Sequence, residues 1–142
     1  MLRDEAERYI KLEENYGENS AYYHYNCAEV MLNASNDYYD LGLDNKSLRM
    51  IVPFGGGMYT ENDCGMLTGG VAVLGVMLTE EKPSNNLKLK EATSFWVNEF
   101  EKEFKGLNCR FIKDRNLAEN QGCSKLILKA ADILEEVIGK YK

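Results

Sequence analysis

The sequence has no run of lysine and arginine, no long hydrophobic segment, no C-x-x-C motif and only one histidine. Each absence removes a class of function. Seventeen basic residues against 23 acidic ones leave a net charge of −6, which disfavours nucleic acid and anionic membrane surfaces as partners. The longest nearly apolar stretch, Gly65 to Leu78, falls short of the roughly 20 residues that a membrane helix needs. The first residues, MLRDEAERYIKLEENY, are charged throughout and lack the apolar core of a signal peptide. A cytoplasmic protein is therefore expected, without membrane insertion. The missing C-x-x-C takes away the usual zinc-ribbon and thioredoxin patterns, and with no C-x-x-C-H there is no c-type haem attachment.

What is present is a set of four widely spaced cysteines: Cys27, Cys64, Cys109 and Cys123. They follow Asn26, Asp63, Asn108 and Gly122, all residue types favoured at helix N-caps. Each thiol is thus expected near a first helical position. Unpaired N–H groups and the positive dipole end there favour thiolate over thiol. Cytosolic thiols stay reduced, so redox chemistry or metal–sulfur ligation is expected before structural disulfides. The plainer alternative is that the cysteines pack as small apolar residues.

The apolar periodicity predicts an all-α fold, a single domain over 1–142, with about five main helices and short helical turns. The expected helices are Leu2–Tyr16, ended by Gly17, and Cys27–Leu41, ended by Gly42. A short helix Lys46–Val52 is capped by Asp44 or Asn45. The segment CGMLTGGVAVLGVMLT is apolar on every side and reads as a buried helix capped by Asn62 or Asp63. Pro83 breaks the chain, and Ser84 caps a helix through Lys105, with Gly106 as its stop. A turn follows Cys109 with Phe111 and Ile112 inward. The last helix, about Cys123 to Ile138, is stopped by Gly139. Tyr22, Tyr23, Tyr25, Tyr38 and Tyr39 are expected in core or interface packing.

Two further features bear on a site. Gly55, Gly56 and Gly57 open the loop FGGGMYTEND before Cys64, without the Lys-Ser/Thr of a phosphate-binding P-loop. They are read, with Gly65, as letting backbone come close to Cys64 and to any cofactor there. Gly65, Gly69 and Gly70 lie near one helical face, where another backbone is expected to pass. His24, three residues before Cys27, stands where a ligand or general base could, although a partly exposed loop histidine is the favoured reading.

The pieces NCAEVML, FGGGMYTENDCGMLTGGVAVLG, LNCRFI and GCSKLILKAADILEEVI carry a resemblance. Together they resemble the redox-active family named for its C_GCAxxG_C_C pattern, and the cysteine-bearing region of split-Soret cytochromes. Met66 stands where the pattern has Ala, which puts close backbone packing there in question. The resemblance implies an all-helical fold and a redox role, with Cys27, Cys64, Cys109 and Cys123 as redox thiols. From the cytochromes it implies the same four as ligands of an iron–sulfur cluster.

Three functions therefore compete. In the leading one a cysteine, Cys64 for example, attacks and another resolves the disulfide. The second is a metal site in which all four cysteines hold an iron–sulfur cluster or zinc. The third is a structural protein. Whether the chain is an enzyme, which redox partner it meets and whether it forms a homo-oligomer are left open by the sequence.

Overall fold

Ala92, Trp96, Phe100 and Phe104 recur every four residues, and all four are buried along one side of a helix. That helix is α5 (Leu87–Phe104), one of seven α-helices in a computed structural model that describes residues 1–80, 85–116 and 122–142. The others are α1 (Leu2–Lys11), α2 (Cys27–Tyr38), α3 (Asn45–Arg49), α4 (Gly65–Leu78), α6 (Cys109–Asn116) and α7 (Ser124–Tyr141). The fold is all-helical, with no strand among the described residues.

Helix α4 is apolar on every side because it has neighbours on several. Met66, Leu67, Val73, Leu74 and Leu78 are buried. Helix α2 crosses it where glycines leave room. A Cβ added at Gly69 would stand 2.9 Å from the Ala28 carbonyl oxygen and from Met31 Cβ. On another side the Trp96 ring packs against Gly70, and its indole N–H donates to the Leu67 carbonyl at 3.0 Å. That bond satisfies a buried polar group. Helix α7 buries Ile127, Ala130, Leu134 and Val137. It is tied to α1 by Arg3–Asp132 at 3.0 Å and by the Leu2 N–H, which donates to Glu135 at 2.8 Å. The second of these satisfies an amide that the helix start leaves without a partner.

Several boundaries differ from the sequence expectation. Helix α1 ends at Lys11, not Tyr16, and tightens into 3-10 turns over Leu12–Tyr23, kinked at Gly17 (φ 50°). Tyr16 and Tyr23 stack across that kink with centroids 3.5 Å apart. Helix α2 ends at Tyr38, and Asp40 follows with a positive φ of 53°. Tyr22, Tyr23 and Tyr38 are exposed and lie outside the core, which leaves for these three only the interface half of the expectation; Tyr25 and Tyr39 are half-buried. Helix α3 stops at Arg49, and Val52–Phe54 form a separate 3-10 turn. The expected break at Pro83 and cap at Ser84 lie outside the described residues. Helix α5 ends with Lys105, not Gly106, in the left-handed conformation (φ 65°). Gly106 instead leaves space for the Phe111 ring, which is exposed and not inward. Helix α7 runs through Gly139 to Tyr141. A glycine stops a helix only where its backbone leaves the helical region, and a helical one costs about 1 kcal/mol relative to Ala.

The loop before α4 is left-handed over Gly56, Gly57, Met58, Tyr59 and Glu61, with φ between 57° and 64°. It is closed by the Asn62 N–H, which donates to the Gly57 carbonyl at 3.1 Å. The two glycines adopt this freely. For Met58, Tyr59 and Glu61 the conformation costs about 1–2 kcal/mol each. Tyr59 is exposed and gives up little packing on replacement. Tyr59→Gly is therefore expected to raise stability by about 1 kcal/mol, read as an increased urea midpoint.

Candidate functional site

Asn26 is the N-cap of α2. Its side chain accepts from the Glu29 N–H at 2.9 Å, and the Glu29 carboxylate accepts from the Asn26 N–H at 3.1 Å. This reciprocal box fixes Cys27 as the first residue of the helix. Cys64 is itself the N-cap of α4, so neither Asn62 nor Asp63 has that place. Cys109 opens α6, where the Asn108 side chain accepts from the Phe111 N–H at 3.3 Å. Cys123 is the N-cap of α7, one residue after Gly122.

Two backbone bonds join the second and third cysteines. The Cys64 N–H donates to Leu107 O at 2.8 Å, and the Cys109 N–H donates to Asn62 O at 2.5 Å. They frame an isolated antiparallel bridge between Asp63 and Asn108. Cys27 reaches the same place from α2. A Cβ on Gly65 would stand 2.5 Å from Cys27 Sγ, so that sulfur rests on the first residue of α4. All four cysteines line one cavity of about 460 Å³. Cys64 and Cys109 are buried at 4% exposure each, whereas Cys27 and Cys123 are half-buried.

The glycine loop serves this geometry. Gly55 packs against the Asn26 side chain, and Gly56 lies on the cavity wall. Met66 is buried on the same wall. The close approach of α2 runs over Gly65 and Gly69, so the larger residue at position 66 does not interfere with it.

Burial outweighs helix-start electrostatics at these thiols. Burial, then repulsion from Cys27, pushes the Cys64 thiol up to about 12, although the Met66 and Leu67 N–H groups favour the thiolate. Burial also raises Cys109 and Cys123, while Lys113 pulls both down. The expectation that helix starts hold thiolates is therefore corrected for these three. Neighbouring thiols raise them further, Cys27 acting on all three and Cys109 on Cys64 and Cys123.

The raised Cys64 thiol has a consequence for stability. Below the ordinary thiol range both folded and unfolded chains keep the proton, and the group adds no pH dependence. Above that range the unfolded chain loses the proton while the folded one retains it. Stability is then expected to fall by about 1.4 kcal/mol per pH unit until the folded thiol titrates. Urea midpoints of reduced protein from about pH 8 to pH 10 would show this slope. In Cys64→Ala the slope should become shallower, with the part from Cys109 and Cys123 remaining.

Other side chains complete the wall. His24 Nδ1 lies 3.1 Å from Glu13 Oε2, and both residues line the cavity, as does Lys113. Neither Glu13 nor Lys113 is among the residues that the sequence singles out. Lys113 has a signal there, since it lies four residues after Cys109 on the same helical face. Glu13 has none, because it arrives through the 3-10 segment after α1. Among the described residues, no group of three or more His, Cys, Asp or Glu side chains is arranged to hold a metal ion. No helix among the described residues is long and apolar enough to cross a membrane.

No curated protein and no solved structure matches the chain. The sequence profile of C_GCAxxG_C_C proteins matches residues 25–137, a span that includes all four cysteines. The chain belongs to the C_GCAxxG_C_C family, described as a putative redox-active protein.

Proposed function

We propose that the protein carries out thiol–disulfide exchange at this cavity, with Cys27 as the attacking thiol. One observation supports the reading above all: four thiols from four helix starts line a single cavity. Cys64, the candidate for attack on sequence grounds, is buried and hard to ionise, which makes it a poor nucleophile. Cys27 is less buried than Cys64 and Cys109, and its sulfur rests on the first residue of the helix that Cys64 caps.

The reaction partner is a disulfide, on a protein or a small molecule. The Cys27 thiolate attacks one partner sulfur, forming a mixed disulfide and releasing the other partner sulfur as a thiolate. A second cavity cysteine, deprotonated in turn, attacks Cys27 and releases the remaining partner sulfur. This chain is oxidised by two electrons to one internal disulfide, and the partner is reduced to a dithiol. Run backwards, the same steps oxidise the partner.

Intact mass and metal analysis of protein purified without oxygen test the reading. After treatment with oxidised glutathione, each chain is expected to lose two hydrogen atoms and to recover them with dithiothreitol. Stoichiometric iron or zinc bound by the thiols would overturn the proposal.

A further inference from the structure

We propose that Glu13 and His24 form a carboxylate–imidazole pair that accepts the thiol proton at the cavity, with Cys27 as its donor; the proposal rests on the thiol-exchange reading above. Glu13 Oε2 lies 3.1 Å from His24 Nδ1. A carboxylate can only accept, so Nδ1 carries the hydrogen. In the neutral ring Nε2 is then an unprotonated acceptor. The carboxylate thus fixes the tautomer that a base needs.

The two residues come from different segments. Glu13 lies in the 3-10 turns after α1, and His24 is in extended backbone (φ −81°, ψ 121°) leading into α2. Both reach the cavity that Cys27 lines. A contact this exposed contributes little to stability. Among the described residues, the charged and titratable groups that line the cavity with His24 are Glu13, Tyr25, Lys113 from α6 and the four thiols. Lys113 favours the thiolate form of Cys109 and Cys123.

In the step assigned to the pair, the Cys27 proton moves to His24 Nε2. The sulfur lone pair left behind forms the bond to the partner sulfur. The departing partner thiolate then takes the proton from Nε2, which returns His24 to its starting state. No net proton is consumed in that exchange.

Stopped-flow exchange with 4,4′-dithiodipyridine, a neutral chromogenic disulfide, tests the pair. Wild type should show a rate shoulder following imidazole ionisation. His24→Gln should lose it, with the rate near pH 6.5 reduced about tenfold, a low figure for a positioned base. The two rates should converge at alkaline pH, where hydroxide takes over the work of the base. Glu13→Gln should keep the shoulder at reduced amplitude, because the ring loses the carboxylate that fixes its tautomer, and it serves as the second variant should His24→Gln fold poorly. Identical pH–rate profiles in wild type and both variants, with a disulfide formed in each, would overturn the role of the pair. Failure of wild type to form any disulfide would instead overturn the exchange reading beneath it.

Discussion

Protein carrying Cys27→Ser is expected to lose disulfide exchange down to the background of fully alkylated protein. Its stability should stay within about 1 kcal/mol of wild type. The sulfur is half-buried, rests on the Gly65 backbone and is replaced by a smaller atom. Cys64→Ser should behave in the opposite way. Its hydroxyl would sit in a buried position without an assured partner, at a cost of about 1–3 kcal/mol. Loss of attack and loss of stability are thus expected to separate between two cysteines of one cavity. Exchange kinetics with 4,4′-dithiodipyridine and urea titrations of both variants measure the two quantities. A Cys27→Ser protein that exchanges at the wild-type rate would remove Cys27 from the attacking role.

Gly69→Leu is expected to destabilise the protein by about 3 kcal/mol, at the upper end of what overpacking usually costs. Even the first added carbon would stand 2.9 Å from the Ala28 carbonyl oxygen, which is backbone and cannot rotate away. Helix propensity acts in the other direction, since replacing an interior glycine gains up to about 1 kcal/mol. The sign of the result therefore decides which effect wins. Gly75 supplies the control. It lies in α4 with nothing within 4 Å of an added Cβ, so Gly75→Ala should stabilise by about 0.5–1 kcal/mol. Gly69→Leu should also push α2 outward and carry Cys27 away from the cavity. Exchange is then expected to slow even in conditions where the variant stays folded. Urea midpoints of the two variants, read with the exchange rates, check both parts.

Much of the helical frame is legible in the sequence because it is written in local spacing. The four-residue steps from Ala92 to Phe104 and the apolar positions Ile127, Ala130, Leu134 and Val137 are buried faces in the structure. The all-round apolar character of α4, and the glycines on one side of it, point to close neighbours. Helix ends are less legible. A helix stop depends on which residue turns left-handed, and here that is Lys105 and not Gly106. Gly139 misleads for the converse reason, as it simply stays helical. The bridge from Asn62–Cys64 to Leu107–Cys109 consists of backbone bonds between distant segments, and no side-chain pattern announces it. Thiol ionisation is misjudged from sequence because the helix start is local information and burial is not. The glutamate facing His24 is invisible for the same reason, eleven residues away along a 3-10 segment that kinks at Gly17 between them.

Peptide mapping of the oxidised protein tests the central claim most directly. Reduced chain is treated with oxidised glutathione, remaining thiols are blocked, and digested peptides are assigned by mass spectrometry. The account predicts an intramolecular disulfide that includes Cys27, with its partner among Cys64, Cys109 and Cys123, and its disappearance after dithiothreitol. Four free thiols in the treated protein, or crosslinks found only between chains, would contradict it.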